Sequence, residues 1–497
     1  MALSFALLLL VAAASPSAAK PGLGPRGWAP GDLPVTLSSA VVTAVLWTAY
    51  LLGALGVALG LWRGVGPGRS RAERARWSPT RAGRLHRLWP VALGALALLT
   101  SPIGSADHTN YAAYGRIAAQ GGDPYLVPPI TWAGGLDPVT SAVEPPWTMT
   151  PSIYGPFGTA LQALSSFIGQ DNLRQTVWIW QLLIVAAWLM VRVLLRRAAL
   201  DDVARGRVDL LWTANPVVFG VAVLGGHVDL IATALALAAI LLAARRPWVA
   251  GLVLGATVST KITYGIVALA ILWSWRALAR RDLIGHVTAL AVSSLVVVVP
   301  LHLWAGPHVF DQLRKASKGV SLATAWRPVV NLLSAVMPLD AARTVVSAAS
   351  VVMVIVLAWA LWYLVRPPAT GPPAALTHQG LPTRQTQSAM TATFVLATAY
   401  ALGAPYALPW YDVLTWATLP LMVGTALDGI LLARLTVMAM AYVPGRVVAM
   451  SSEVESLTLG FRKIVGSLAA WLVWLAIAGV VRRGSAPVAP ATRRRTS

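Results

Sequence analysis

Apolar stretches long enough to cross a bilayer recur along the whole of this chain, and no other feature narrows its fold so far. A helical crossing needs about 20 apolar residues. Inside lipid the backbone can bond only to itself, which leaves α-helices or closed barrels. The runs are continuous, as in "VVTAVLWTAYLLGALGVALGLW" and "VVSAASVVMVIVLAWALWYLV", with no alternation of apolar and polar positions. They predict helices, and the fold class is an all-α polytopic membrane protein. Composition agrees: 57% of the residues are hydrophobic and 11% charged, against roughly 25% charged in a soluble domain. The absence of cysteine excludes disulfides and thiolate metal sites.

A net charge of +21 raises nucleic acid as a partner, but the distribution of charge answers otherwise. The segment from Arg63 to Arg87 holds eight arginines and one glutamate, and Arg196-Arg197, Arg245-Arg246, Arg276 to Arg281, Arg482-Arg483 and Arg493 to Arg495 also flank apolar runs. That is the pattern that orients helices with their basic loops in the cytoplasm. The expected spans are 36–62, 88–104, 177–195, 208–225, 228–244, 247–260, 262–275, 285–303, 343–365, 388–404, 412–426, 429–444 and 464–481. This makes about 13 spans, or about 14 if residues 1–20 form a first helix and not a cleaved signal. The chain reads as one integral membrane domain over 1–497, of multi-pass plasma-membrane type, with no nucleic-acid partner. The Pro-, Thr- and Gln-rich stretch 366–387 is expected as a cytoplasmic linker, and 483–497 as a basic cytoplasmic tail.

The same parity puts 105–176, 304–342, 445–463 and the turn 405–411 on the outer side. Segment 105–176 is the longest of these, and from 105 to 152 its charges are Asp107, Arg116, Asp123, Asp137 and Glu144, slightly acidic in a very basic protein. In "YAAYGRIAAQ", Tyr111, Tyr114 and Ile117 share one helical face, and "GGDPY" stops that helix and starts a turn ending at Tyr125. The apolar run 155–169 would break the parity if it crossed, so an interfacial helix on the outer leaflet is expected. Asp107 stands at the outer end of the span 88–104. It reads either as a solvated helix-end carboxylate or as a general base at the membrane surface. His108 beside it would contact a phosphate or tune the aspartate.

Three further features fall on the outer side. "GGHVD" (225–229) reads as a tight turn whose Asp229 caps the next helix, or as a second part of the Asp107 site through His227 and Asp229. Lys261 interrupts a long apolar stretch, either snorkelling to the interface or holding a lipid phosphate. Arg314, Lys315, Lys318 and Arg327 add outward charge against the inside-positive bias, which suits an anionic lipid headgroup, with Arg327 best placed for bidentate contact. In "PYALPWYDVLTW" the Trp410-Tyr411 pair reads as interfacial belt residues or as a platform for a sugar ring. A glycine-rich phosphate loop, HExxH, GxSxG and metal-spaced carboxylates are all missing, so no metal is expected.

Taken together and in this order, these residues resemble the actinobacterial polyprenol-phosphate-mannose-dependent α-1,6-mannosyltransferases, membrane glycosyltransferases of the GT-C class. The likeness rests on Asp107 after an early helix, Tyr111…Gly115-Arg116…Gly121-Gly122-Asp123-Pro124-Tyr125, Pro151-Ser152-Ile153-Tyr154-Gly155-Pro156, Asn215-Pro216, Gly226-His227-Val228-Asp229, Ser259-Thr260-Lys261 and Pro409-Trp410-Tyr411. The resemblance implies a GT-C bundle that moves a sugar from a polyprenyl-phosphate donor to a glycan or glycolipid acceptor at the outer face. It implies Asp107 as base, and His227, Lys261, Arg327 and His108 around the donor phosphate. Tyr111, Tyr125, Tyr154, Asp229, Trp410 and Tyr411 would then shape the sugar and acceptor site. The donor is a substrate, membrane lipids surround the site, and no cofactor or metal is implied. Alternatives are a transferase for another lipid-linked sugar such as arabinofuranose, a flippase for lipid-linked sugars, and a non-catalytic envelope scaffold. A flippase should carry ionisable residues at mid-membrane, whereas the groups here gather after helix ends on one face.

Overall fold

The computed structural model describes residues 1–65, 84–365 and 384–484. The expected basic loop 63–87, the linker 366–387 and the tail 483–497 lie wholly or mostly outside the described residues.

Among the described residues all regular structure is helical. In chain order the helices are α1 (Ala2–Ala13), α2 (Ser39–Gly60), α3 (Arg84–Leu98), α4 (Asp107–Ala119), α5 (Pro156–Gly169) and α6 (Leu173–Ala198). Then come α7 (Asp202–Thr213), α8 (Pro216–Leu224), α9 (Asp229–Ala243), α10 (Pro247–Thr260), α11 (Ile262–Ser274) and α12 (Arg280–Ala305). The remainder are α13 (Asp311–Ala316), α14 (Trp326–Leu333), α15 (Leu339–Val365), α16 (Arg384–Gly403), α17 (Val413–Thr418), α18 (Ala426–Tyr442) and α19 (Ser452–Arg483). Each expected span carries a helix, so the chain is an all-α polytopic membrane protein. By length and hydropathy five helices among the described residues can cross a bilayer, or up to six if the bent pair α7–α8 is one span. The other apolar helices, such as Asp229–Ala243 and Pro247–Thr260, begin and end where expected but are shorter than a full crossing, so the expected spans outnumber the helices of crossing length.

The α7–α8 break has a local cause. Pro216 has no amide hydrogen to give, while the Val217 and Val218 amides donate to the Asn215 side chain, capping a new helix. The two halves are bent by 42°. The helix after this pair, α9, is almost wholly apolar and mostly buried, as a central helix should be. It packs against α6, α10, α16 and α17. The outer helices show the opposite pattern. On α15, Val351, Val352, Ile355 and Trp359 are each at least 60% exposed on one helical face, the pattern of a surface that meets lipid. Helix α5 buries its small and polar residues (Gly158, Thr159, Gln162, Ser166) and exposes Leu164, Phe167 and Ile168. That inverted polarity fits a short helix against lipid.

The N-terminal segment is woven into one end of the bundle. Helix α1 packs on α2 with Leu8, Val11 and Ala12 buried. Lys20, fully buried, reaches the Ala12 carbonyl at 2.7 Å and Asp32 at 2.6 Å, and Arg174 of α6 holds the other Asp32 oxygen at 2.8 Å. Arg446 pairs with Glu144 through both carboxylate oxygens and donates to the Ser17 and Lys20 carbonyls. Three distant stretches are thereby tied together around the start of α4, where the Gly104 amide also donates to the Ala19 carbonyl.

Candidate active site

The breaks between helices converge at this end. Asp107 and Asp229 are the first residues of α4 and α9, where the helix dipole favours a carboxylate. Lys261 is the extended residue between α10 and α11. Trp410 and Tyr411 lie in a single 3-10 turn, Pro409–Asp412, just before α17.

Two pairs of groups form the centre. His227 Nδ1 lies 3.4 Å from Asp107 Oδ2, a close approach without a hydrogen bond among the described residues. The His227 side chain is 2% exposed and Asp107 18%, so the carboxylate is the group open to an incoming molecule. The second pair is Lys261 and Asp229, with Nζ 2.6 Å from Oδ1 and side-chain exposures of 13% and 2%. The other Asp229 oxygen has no hydrogen-bond partner among the described residues. Beside this pair is a small open recess lined by Asp229, Lys261, Thr263, Tyr264, Tyr400 and Tyr411.

Sequence-distant motifs meet here by direct backbone contact. The Gly155 amide donates to the Thr260 carbonyl, and a Cβ on Gly155 would sit 2.3 Å from the Ser259 carbonyl oxygen. The "YGP" and "STK" stretches are therefore one junction, open only to glycine. In the α8–α9 turn, Gly226 has φ +66° and its carbonyl accepts from Trp180 Nε1 at 2.7 Å. A Cβ on Gly225 would fall 2.6 Å from the His227 ring.

The tyrosines divide into two groups. The Tyr111 ring meets Tyr154 edge-on at 5.0 Å and Trp180 at 5.1 Å. Burial raises the phenol pKa of Tyr111 and Tyr154 well above the usual value, and the Asp107 charge raises it further, so both stay protonated. Tyr125 is elsewhere: its hydroxyl bonds to Thr159 at 2.8 Å and its ring packs with Ala305 and Val309. The Asp123 side chain accepts from the Tyr125 amide at 2.8 Å, which makes "GGDPY" the expected turn. Arg116 of the same motif is clamped between Asp137 and Asp171.

His108 is fully buried and neither ring nitrogen has a hydrogen-bond partner among the described residues. Burial pushes its pKa down to about 3, so the ring is neutral and brings no charge to a phosphate. Arg327, at the start of α14, is half-buried. Among the described residues its guanidinium makes no ion pair or hydrogen bond that joins it to the two central pairs. Arg314 is taken up by Asp311.

Sequence reasoning passed over Tyr264 and Tyr400. The Tyr264 hydroxyl donates to the Asp229 carbonyl at 2.9 Å and lies 2.9 Å from the Thr233 hydroxyl. Its spacing of one 3-10 turn after Lys261 is the signal that could have marked it. Trp410 and Tyr411, read as a sugar platform, already have partners. Trp410 stacks flat on the His227 ring at 3.6 Å and 14°, and Lys261 Nζ sits 3.8 Å above the Tyr411 ring centre. Among the described residues no group of three or more His, Asp or Glu side chains could hold a metal ion.

Comparison with known proteins adds a lineage to this geometry. Residues 3–278 match a family model described as "Alpha-(1->6)-mannopyranosyltransferase, N-terminal domain". The matched region takes in Asp107, His227, Asp229 and Lys261, while Arg327, Trp410 and Tyr411 lie beyond it. An alpha-(1->6)-mannopyranosyltransferase A of Mycobacterium tuberculosis is 28% identical over 264 residues, covering 51% of this chain and 48% of that protein. A probable alpha-(1->6)-mannopyranosyltransferase of Mycolicibacterium smegmatis is 28% identical over 305 residues, covering 54% and 50%. An alpha-(1->6)-mannopyranosyltransferase B of Corynebacterium glutamicum is 29% identical over 124 residues, covering 24% and 20%. The matches span about half the length of the first two relatives. No solved structure matches.

Proposed function

Because the chain belongs to the alpha-(1->6)-mannopyranosyltransferase family, we propose that it transfers a mannosyl residue from a polyprenyl-phosphate-mannose donor to a glycan or glycolipid acceptor. The reaction runs at the extracytoplasmic face of the plasma membrane. The observation that carries the reading is the pairing of a partly open carboxylate, Asp107 beside His227, with a half-buried ammonium, Lys261 beside Asp229, on neighbouring helix breaks.

In the proposed reaction the acceptor hydroxyl gives its proton to Asp107 as its oxygen attacks the anomeric carbon. The bond from that carbon to the phosphate oxygen breaks, and the polyprenyl phosphate leaves with the electron pair. Attack opposite the leaving group inverts the centre, so a β-linked donor gives an α-linked product. The leaving oxygen gains negative charge, and Lys261 is the cation beside the recess able to meet it. Asp229 is the counterion of this ammonium, 2.6 Å away, while the site is free of donor. His227 lies against the base and stabilises Asp107 in the orientation that the attack requires. Tyr111 and Tyr154, protonated by burial, offer hydroxyl donors near Asp107 to sugar oxygens.

The test is a membrane assay with a panel of polyprenyl-phosphate sugars and a glycan acceptor, read by product mass. Addition of one hexose from the mannosyl donor supports the proposal. Transfer of a pentose alone would replace it by the arabinofuranosyl reading, and transfer from no donor would overturn it in favour of transport or scaffolding.

A further inference from the structure

The turn Pro409–Asp412 brings two consecutive aromatic rings to the two central pairs, one to each. Trp410 is 8% exposed, and one face is covered by the His227 imidazole at 3.6 Å with the planes 14° apart. Its edge meets Tyr442 at 6.3 Å. On its own backbone, the imidazole is hemmed in by Gly225, whose bare Cα leaves space that a Cβ would take up at 2.6 Å from the ring. His227 is thus confined in the plane that brings its Nδ1 to 3.4 Å from Asp107. Tyr411 does the corresponding work on Lys261, a side chain with four rotatable bonds and no intrinsic preference for one geometry. The ammonium is fixed by the Asp229 carboxylate at 2.6 Å and by the face of Tyr411 at 3.8 Å.

The turn itself is held from several sides. Pro409 presets its first dihedral. The Tyr411 amide donates to the Leu408 carbonyl at 3.0 Å. Asp412 is ion-paired to Arg434, which also donates to the Ala401 carbonyl at 2.6 Å. Upstream, the Ala407 amide donates to Ser321 Oγ at 3.1 Å, and the Ser321 amide to the Pro405 carbonyl at 3.0 Å. A turn anchored in this way can pass its rigidity to the groups resting on its two rings.

We infer that Trp410 and Tyr411 are positioning residues and not a sugar platform: Trp410 orients the His227–Asp107 pair, and Tyr411 orients the Lys261–Asp229 pair. This rests on the mannosyltransferase reading, in which the first pair serves proton removal and the second holds the donor phosphate. The inference separates the kinetic effects of two adjacent residues. Loss of the ring at 410 misplaces the base and lowers kcat. Loss of the ring at 411 loosens the ammonium and weakens the donor.

The experiment is two-substrate steady-state kinetics on purified full-length protein in detergent or vesicles, with size-exclusion profiles confirming that each variant folds. Trp410→Leu is expected to lose about 100-fold in kcat, the scale of a 1 Å misplacement, with both KM values little changed. Tyr411→Leu is expected to raise the donor KM about 5-fold, the scale of a partly exposed cation–π contact, with kcat at saturating donor little changed. Trp410→Phe and Tyr411→Phe keep a flat ring and are expected to restore near wild-type values. If Trp410→Leu raises the acceptor KM and leaves kcat intact, Trp410 is a sugar platform and the inference is overturned. Equal losses in both parameters for both residues, without rescue by phenylalanine, would overturn it in favour of a purely structural turn. A wild type that uses a different polyprenyl-phosphate sugar overturns the mannose reading alone, and the same split is then read with that donor. A wild type that uses none overturns both.

Discussion

Replacing Lys261 by methionine separates what this residue does for the fold from what it does for the donor. Methionine keeps the apolar stem and deletes the ammonium. Asp229, 2% exposed, then loses the partner at 2.6 Å from Oδ1, and its Oδ2 has no hydrogen bond to replace it. Stranding one charge of a buried pair costs about 3–5 kcal/mol, and the lost contact with the Tyr411 ring adds about 1 kcal/mol. Lys261→Met should therefore unfold in detergent at a markedly lower temperature than wild type. In the double variant Lys261→Met/Asp229→Asn the stranded charge is gone, and most of that stability should return. Donor use should not. The leaving phosphate would still lack its charged hydrogen bond, worth about 2–3 kcal/mol, so kcat/KM for the donor should stay about 30–150-fold down. Thermal unfolding and donor titration on the same three preparations check both halves. A single variant as stable as wild type would refute the burial argument. A double variant that recovers donor use along with stability would refute the role of Lys261 at the phosphate.

Two further outcomes follow from the segment 105–176. Tyr125→Phe should cost about 1 kcal/mol through the lost Thr159 hydrogen bond and leave transfer unchanged; a raised acceptor KM would return Tyr125 to the sugar site. His108 has its pKa lowered from 6.5 to about 3 by burial, so the unfolded chain takes up its proton first. Its contribution is present in full above 6.5 and lost as pH falls towards 3, at up to about 1.4 kcal/mol per pH unit. His108→Gln should flatten the acid limb of a stability profile by that slope, and an unchanged limb would refute it.

Much of the architecture could be read from the residues because lipid imposes a simple rule on them. Apolar runs such as 343–365 became helices close to where their ends were expected, and Asn215-Pro216 broke a helix as its chemistry required. The number of full crossings was harder, since a helix buried within the bundle, like Asp229–Ala243, gives the same apolar signal at less than crossing length. The candidate site was legible as a set of residues but not as a set of contacts. Motif order brought Asp107, His227, Asp229 and Lys261 into one group, yet nothing local shows that Trp410 lies under His227 or that Gly155 abuts Ser259. Those contacts depend on how helices far apart in the chain pack. Tyr125 illustrates the limit: its motif predicted the turn correctly, but the side chain reaches Thr159 and not Tyr111. Lys20 and Arg446 were equally hidden, because a lone basic residue carries no mark of the carbonyls it will bind.

The central claim is that Asp107 removes the acceptor proton. Asp107→Asn keeps the side-chain volume and leaves His227, Lys261 and Trp410 in place, and it deletes the base alone. The measurement is kcat for mannosyl transfer at saturating acceptor, with donor binding measured in parallel on the same preparation. The account predicts a loss of about 10²–10⁴-fold in kcat, the usual contribution of a positioned base, with donor affinity unchanged. A turnover rate equal to wild type in the asparagine variant would contradict it.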